Sequence, residues 1–433
     1  MAAVRGGAGA WYRGGRMVLE ALVVERARAF VAAAAGSVGP VSEAGILPRE
    51  GYTSARLWAF ERAAIFGREW LCIGHVNEVP QPGDHLPMTV QDEPLLLVRD
   101  KEGAVRVLSG VCQHRGHPMV GGLSEHPLDA PALNAPLLVC PYHNWSYALD
   151  GSLVGAPDMR RTCPLPELRR RIRLPQIRSE IFHGLVFVNF DEAAASLAPR
   201  LAKLDAELRT IPLAELVPAQ QHSQRGLRWN WKLHHENALE PYHTSFVHRN
   251  YHDAVPSSLT VFGAYEDGDC AVMRHTGFAA GEGGDLFEEG GVRRLPDMAG
   301  LSEAQRNRVT FVAVLPNLVM VIQPSLVTIT MLDPTGPGTL DSRRLNLYPR
   351  EVIEDAGYRA FADAQFERIK IIVGQDAATQ IALQTAYKSR HVPKGTLAWL
   401  ESSIPQLNQW VLDAYRRALQ HSNPHPPPIS QAA

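Results

Sequence analysis

The chain has no apolar run close to the roughly 20 residues that a membrane-crossing helix needs. It also lacks an excess of either charge. Lysine and arginine number 43 against 45 aspartates and glutamates, a formal net charge of −2. With no basic stripe and no acidic tail, nucleic acid and membrane surfaces are not expected partners. Cysteine is scarce and odd in number: Cys72, Cys112, Cys140, Cys163 and Cys270 in 433 residues. That count shows no disulfide framework and fits a reducing cytoplasm. Internal repeats are absent. The opening MAAVRGGAGAWYRGGRM has arginines and glycines but no compact apolar stretch behind them. A secretory leader is therefore not expected, and Met17 is a second candidate start.

What is present divides into textures. The length suggests two or three domains. Residues 18–35 and 53–68 have helical composition, the latter with Leu57, Phe60, Ala64 and Phe66 on one face. From Trp70 to about residue 190, short apolar runs alternate with Gly, Pro and Asp, which reads as antiparallel strands. Asp150-Gly151 is a two-residue hairpin signal. Beyond residue 191 a helical stretch over 228–250 precedes strand-like runs at 259–275, 307–332 and 341–348. Helices are expected again over 354–389 and 399–420. The class is α+β. Residues 1–46 are expected to form a flexible tail and a helix, and 422–433 (NPHPPPISQAA at its core) a disordered tail.

Two short pairs carry the chemistry: Cys112-Gln-His114 and Cys140-Pro-Tyr-His143. Each offers one thiolate and one imidazole beside a strand. Two of each is the set a Rieske [2Fe–2S] cluster uses, cysteines on one iron and histidines on the other. Zinc takes the same residue types, but its fingers usually pair Cys with Cys and His with His. A second cluster of ligands lies at Asn230-Trp-Lys-Leu-His-His-Glu-Asn237-Ala-Leu-Glu240-Pro-Tyr-His243, with His248 five residues on. Two histidines and a carboxylate on one face bind non-haem Fe(II) and leave positions open. On a regular helix a spacing of five turns His243 and His248 about 140° apart. Both reach one metal only if the helix bends or ends between them, and Pro241 favours that.

These motifs, with LPREGYTSARLWAFERAAIFGREW and PGDHLPM ahead of them, resemble the catalytic alpha subunit of Rieske non-haem iron ring-hydroxylating oxygenases. The resemblance runs from about Leu47 to about Tyr415. It implies a β-rich Rieske domain with its lead-in helix over 47–190. It implies a helix-grip (START-like) catalytic domain over 191–421, with an antiparallel sheet and long helices. By the resemblance Cys112, His114, Cys140 and His143 hold the cluster, and His243, His248 and Asp376 hold a mononuclear Fe(II). Asp363 competes with Asp376, whose approach through Ile371, Ile372 and Val373 suggests burial. Glu240 is implied not to be a ligand but to bridge to a cluster histidine of a neighbouring subunit, and Asn237 to sit near the iron. His234, His235 and His252 are read as supporting polar residues, and Tyr142 and Trp145 as cover for the cluster.

Three departures are visible. The 25 residues between His114 and Cys140 exceed the family's spacing, and the excess near GLSEHPLDAPALNAP reads as a surface loop. Glu240 stands where Asp is commoner, and Gln375 where a Glu is. His117 and Tyr142 occupy the places where respiratory Rieske proteins carry a disulfide, so a lower-potential cluster is implied. The resemblance also implies O2 as co-substrate and a small organic substrate. Electrons would come from NAD(P)H through a separate flavin and iron–sulfur reductase or ferredoxin, to a homotrimer. Monohydroxylation or demethylation is placed ahead of cis-dihydroxylation of an aromatic ring. A non-catalytic electron carrier is the reading of another class. A pocket is expected between 236–250 and 307–332, with Phe246, Met320 and Ile322, and no charged anchor is evident there.

Overall fold

The computed structural model describes residues 4–6, 10–13, 16–119, 132–279 and 295–421. Most of the expected surface loop after His114 and the whole C-terminal tail lie outside these residues. Where the sequence suggests a tail, the described backbone pairs as three short antiparallel strands: Val4–Gly6, Ala10–Arg13 and Arg16–Leu19.

Helix Ala21–Ala33 buries Val23, Val24, Ala27 and Phe30, one stripe at helical spacing. Helix Ala55–Glu61 starts where the Ser54 side chain accepts from Leu57 N, and it runs into a π turn at Arg62–Phe66. Phe30 and Phe60 both pack on Tyr415, with ring centroids 5.2 and 4.8 Å away. Tyr415 belongs to helix Ser403–His421, so the N-terminal and C-terminal helices share one core.

The β-rich segment forms two parts. A four-stranded sheet runs in the order Val105–Ser109, Glu93–Arg99, Asp84–Val90, Leu133–Asn134. A three-stranded sheet, Leu138–Val139, Ser146–Tyr147 and Leu153–Gly155, packs against it over a small separate core. The hairpin between the last two strands has a three-residue loop rather than the expected two. Ala148 N donates to Ser152 O (2.8 Å), and Gly151 takes φ 87°, which glycine adopts without strain. A third sheet, Arg178–Phe182, Leu185–Asn189 and Leu71–His75, belongs instead to the main core.

The second half is built on a seven-stranded antiparallel sheet. Its order is Val217–Leu227, Thr339–Tyr348, Val327–Gly336, Leu318–Ile322, Arg308–Val314, Ala271–Gly277, Thr260–Phe262. One face carries Ile329, Met331, Leu345 and Leu347, all buried in the main core. The other carries polar rows and lies under the long helix Tyr358–Ala386, where Phe366 stacks on His222 (4.6 Å, 25°). The edge strand Val217–Leu227 is absent from the sequence reading. Its VPAQQHSQRGL has no apolar alternation to reveal it, because its covered side chains are polar. No helix among the described residues is long and apolar enough to cross a membrane.

Candidate metal centres

The expected helix over 228–250 is three pieces. Asn230 caps Trp231–Leu239 by accepting from Lys232 N (2.9 Å). The helix stops at Glu240 (ψ 123°) ahead of Pro241, and restarts as Thr244–Val247 and Arg249–Ala254. His248 stands at the joint between the last two pieces, with φ −121° and ψ 57°. His243 caps the start of the short helix Thr244–Val247 and His248 follows its end, so the two flank one turn after helix Trp231–Leu239 has stopped. Their rings come to 5.2 Å between centroids at 81°.

Asp376, from the long helix, completes the group. Ligand atoms of His243, His248 and Asp376 lie within 4.8 Å of one another. His248 Nε2 is 2.8 Å and His243 Nε2 3.5 Å from Asp376 Oδ1. The other ring nitrogens are spoken for. His243 Nδ1 donates to Glu240 Oε1 (2.5 Å), and His248 Nδ1 donates to Gln375 Oε1 (2.7 Å). Both Nε2 atoms therefore turn lone pairs toward a carboxylate oxygen. Such an arrangement repels itself unless a cation sits at the focus, so these residues fit a divalent metal. Burial draws the His248 imidazole down, but its bond to Asp376 and that residue's charge more than offset it, the proton's answer to the same need.

Asn237 stands beside the triad. Its Nδ2 lies 3.2 Å from Asp376 Oδ1 and 3.4 Å from His243 Nε2, and Gln380 Nε2 donates to its Oδ1 (3.1 Å). Glu240 also accepts from His243 N (3.1 Å), so its carboxylate grips the histidine twice. Asp363 is exposed on the same long helix and is not in the group. His234, His235 and His252 stay outside it too. His234 Nδ1 accepts from Trp229 Nε1 (3.4 Å), His235 Nε2 donates to Pro316 O (2.8 Å), and His252 Nδ1 meets Thr244 Oγ1 (3.3 Å). The apolar approach to Asp376 is not what buries it. Ile371 is 62% exposed, since the helix turns that side outward. Phe246 is likewise 68% exposed and lines no interior pocket, whereas Met320 and Ile322 are buried in the main core.

The two Cys–His loops fold alike. Cys112 O accepts from Gly116 N and Cys140 O from Asn144 N, each at 3.0 Å. Cys112 N donates to His117 O (2.9 Å) and Cys140 N to Trp145 O (2.8 Å). Gly116 and Asn144, four residues after each cysteine, take left-handed φ of 77° and 52°. Both thiols are buried and unbridged, while His143 is exposed and His114 half-buried. The imidazoles come to 4.8 Å between centroids, and Trp145 stacks on His114 (4.7 Å, 7°). Tyr142 leans on His143 but is 51% exposed, so Trp145 is the closer cover. Tyr147, not singled out in the sequence, spans the loop: its Oη lies 3.4 Å from Cys112 Sγ and accepts from Gln113 N (3.1 Å). Burial pushes the Cys112 thiol up, with the Tyr147 contact opposing. A thiolate there needs nearby positive charge, which iron supplies, so the four residues fit a two-iron cluster.

Comparison with known proteins agrees with this layout. A Rieske [2Fe-2S] domain profile matches residues 69–176, and a ring hydroxylating alpha subunit (catalytic domain) profile matches 212–417. Both parts of the chain thus match models of the two domains of Rieske ring-hydroxylating oxygenase alpha subunits. Among curated relatives, the carnitine monooxygenase oxygenase subunit of Acinetobacter pittii is 30% identical over 217 residues, 48% of this chain and 54% of that protein. The 2-aminobenzenesulfonate 2,3-dioxygenase subunit alpha of Alcaligenes sp. is 28% identical over 295 residues, 66% and 70%. The glycine betaine monooxygenase oxygenase subunit of Chromohalobacter salexigens is 30% identical over 224 residues, 52% and 46%. The chain thus spans about half the length of the first curated relatives it matches. In fold it resembles a quaternary ammonium Rieske monooxygenase (TM-score 0.70, 20% identity, 89% of this chain and 98% of that one). Naphthalene 1,2-dioxygenase from Rhodococcus sp. has the same fold (TM-score 0.66, 19% identity, 87% and 95%). The two Cys–His loops lie in the first matched segment and the His–His–Asp group in the second.

Proposed function

We propose that the protein is the oxygenase component of a multi-component system that inserts oxygen from O2 into a small organic substrate, by monohydroxylation or oxidative demethylation. The observation that carries this reading is the convergence of His243, His248 and Asp376 within 4.8 Å, with both outer imidazole nitrogens already bound. Bound at the two sites, a [2Fe–2S] cluster supplies one-electron transfer and a mononuclear Fe(II) supplies O2 activation. Cys112, Cys140, His114 and His143 would hold the first, and His243, His248 and Asp376 the second.

The chain's own residues supply orientation. Glu240 fixes the tautomer of His243, and Gln375 that of His248, so that Nε2 is the free nitrogen of each. Gln380 holds Asn237 with its amide nitrogen toward Asp376, where it steadies the carboxylate. Glu240 keeps a second role as the link to a cluster histidine of another copy in a head-to-tail homotrimer. Its side chain is 14% exposed, and His143 is exposed. A separate reductase or ferredoxin, fed by NAD(P)H, is the proposed electron source.

Cis-dihydroxylation of an aromatic ring is the second reading. It is supported by the dioxygenase alpha subunit that matches 66% of this chain. An electron carrier without catalysis is disfavoured by the triad. The test is metal analysis with His243→Ala. The expected result is loss of turnover and of the mononuclear iron, with the cluster's visible spectrum and acid-labile sulfide intact. Zinc in place of iron and sulfide in the parent protein would overturn the reading. So would a His243→Ala variant that turns over normally.

A further inference from the structure

The sequence shows no charged anchor in the expected pocket, but the polar face of the seven-stranded sheet contains one. His222, Arg344 and Thr330 are direct cross-strand neighbours on that face. Gln220, Asn346 and Thr328 form the next row. The two rows differ in how they are satisfied. In the second row Asn346 Nδ2 donates to Gln220 Oε1 (2.9 Å), and Thr328 Oγ1 donates to Asn346 Oδ1 (3.0 Å), so the row is closed on itself.

The first row is open. Arg344 makes one long bond, Nε to Thr330 Oγ1 (3.4 Å), and among the described residues no carboxylate lies within salt-bridge distance of it. Its two terminal nitrogens have no hydrogen-bond partner among the described residues. His222 Nε2 beside it is buried and also unpartnered. Other enclosed arginines among the described residues of this half are held differently, as Arg200 is by Glu69. Arg343 pairs with Glu78, Arg308 with Glu207, and Arg274 bonds Thr276 Oγ1 and Ala238 O while lying over the Phe311 ring.

Arg344 is half-buried, and burial draws its guanidinium below the usual arginine range despite the opposing charge of Asp376. Yet it keeps accessible surface, as do His234, Asn237, Tyr251 and Asp376. Asp376 acts electrostatically on Arg344 and on Tyr251, and Arg344 acts on His234. The sheet face that carries Arg344 and His222 lies under the helix that bears Asp376, so the open arginine stands near the His243–His248–Asp376 group.

A guanidinium held in a low-dielectric space without a counter-charge is costly unless something anionic arrives. Its planar fork matches a carboxylate or sulfonate, which accepts two parallel N–H bonds. We infer that the substrate carries such an anionic group, bound by the terminal nitrogens of Arg344 with His222 beside it, so that its reactive carbon is presented to the triad. This rests on the oxygenase reading above and names the substrate class for it.

The test uses the full-chain holoprotein and a matched panel: benzoate, phenylacetate, benzenesulfonate, their neutral amides, and benzylamine. Binding is measured by calorimetry, independently of turnover, for the parent and for Arg344→Gln. At least one anion should bind the parent more tightly than its amide does, and Arg344→Gln should weaken that anion about 10- to 100-fold while leaving the amide unchanged. Arg344→Lys should recover part of the affinity, since it restores charge but not the fork. Carboxylate against sulfonate preference identifies the group. Equal loss for anion and amide, no loss, or preference for benzylamine would overturn the inference. Iron and sulfide content measured on the same samples separate this failure from failure of the oxygenase reading.

Discussion

At the residue scale, burial acts strongly on Glu236. It sits one turn before Glu240 and accepts from Tyr52 Oη (2.6 Å), with Lys232, Glu240 and Glu401 within electrostatic reach. Burial pushes its carboxyl up to about 7, and the Tyr52 bond only partly opposes this. A carboxyl raised in the folded state is penalised once it ionises. The native chain therefore holds its full stability below the ordinary value of 4.5 and loses up to about 3 kcal/mol as pH climbs from there through 7. Glu236→Gln keeps an acceptor for Tyr52 and cannot ionise. Denaturant titrations at pH 5 and pH 8 should show the variant gaining on the parent only at the higher pH. A constant difference at both would remove the explanation. That His243, His248 and Asp376 come together, with Asn237 beside them, was legible in the sequence. Gln375, Gln380 and Tyr147 were not. Which ring nitrogen or thiolate a polar side chain meets depends on helix phase and loop closure, and no local pattern records that.

At the element scale, the helix Trp231–Leu239 carries Asn237 and leads into Glu240, and its first turn is pinned by one buried acid. Glu61 accepts from Trp231 Nε1 (2.9 Å), Lys232 Nζ (2.7 Å) and Tyr415 Oη (2.8 Å). Lys232 and Glu61 are 3% and 1% exposed, so neither charge has water to fall back on. Removing only the cation leaves an uncompensated buried carboxylate. Lys232→Met should therefore cost about 3–5 kcal/mol in urea unfolding, and adding Glu61→Leu should restore much of it. If the single variant costs less than about 1 kcal/mol, the pair is not what fixes this helix. Pro241 and a spacing of five signalled that the stretch 228–250 is not one regular helix, but they did not place the break after Leu239, ahead of both histidines. The edge strand Val217–Leu227 was not readable, since its polar row faces the long helix rather than burying apolar surface.

At the scale of the whole molecule, the question is whether the two metal-binding units unfold together. The division at about residue 190 follows the sequence texture, but the packing crosses it. Strand Leu71–His75, from the β-rich half, shares the main core with the catalytic sheet. Asn317, in the turn between Arg308–Val314 and Leu318–Ile322, reads that strand like a second backbone. Its Oδ1 accepts from Cys72 N (2.8 Å), and its Nδ2 donates to Cys72 O (2.9 Å). Arg343 adds a bond to Ile73 O (2.6 Å) and pairs with Glu78. The cluster loops, by contrast, stand on their own small core of Leu96, Val98, Leu108, Trp145, Tyr147 and Leu153. Asn317→Ala strips both bonds from a buried peptide, which should cost about 2–4 kcal/mol. Heat or urea unfolding followed by far-ultraviolet circular dichroism should move to lower stability in that variant. The cluster's visible absorbance reports the other unit. If the shared strand couples the halves, both signals shift by the same amount. A shift in the dichroism alone would mean that the cluster core holds independently, and that electron delivery survives partial loss of the catalytic sheet.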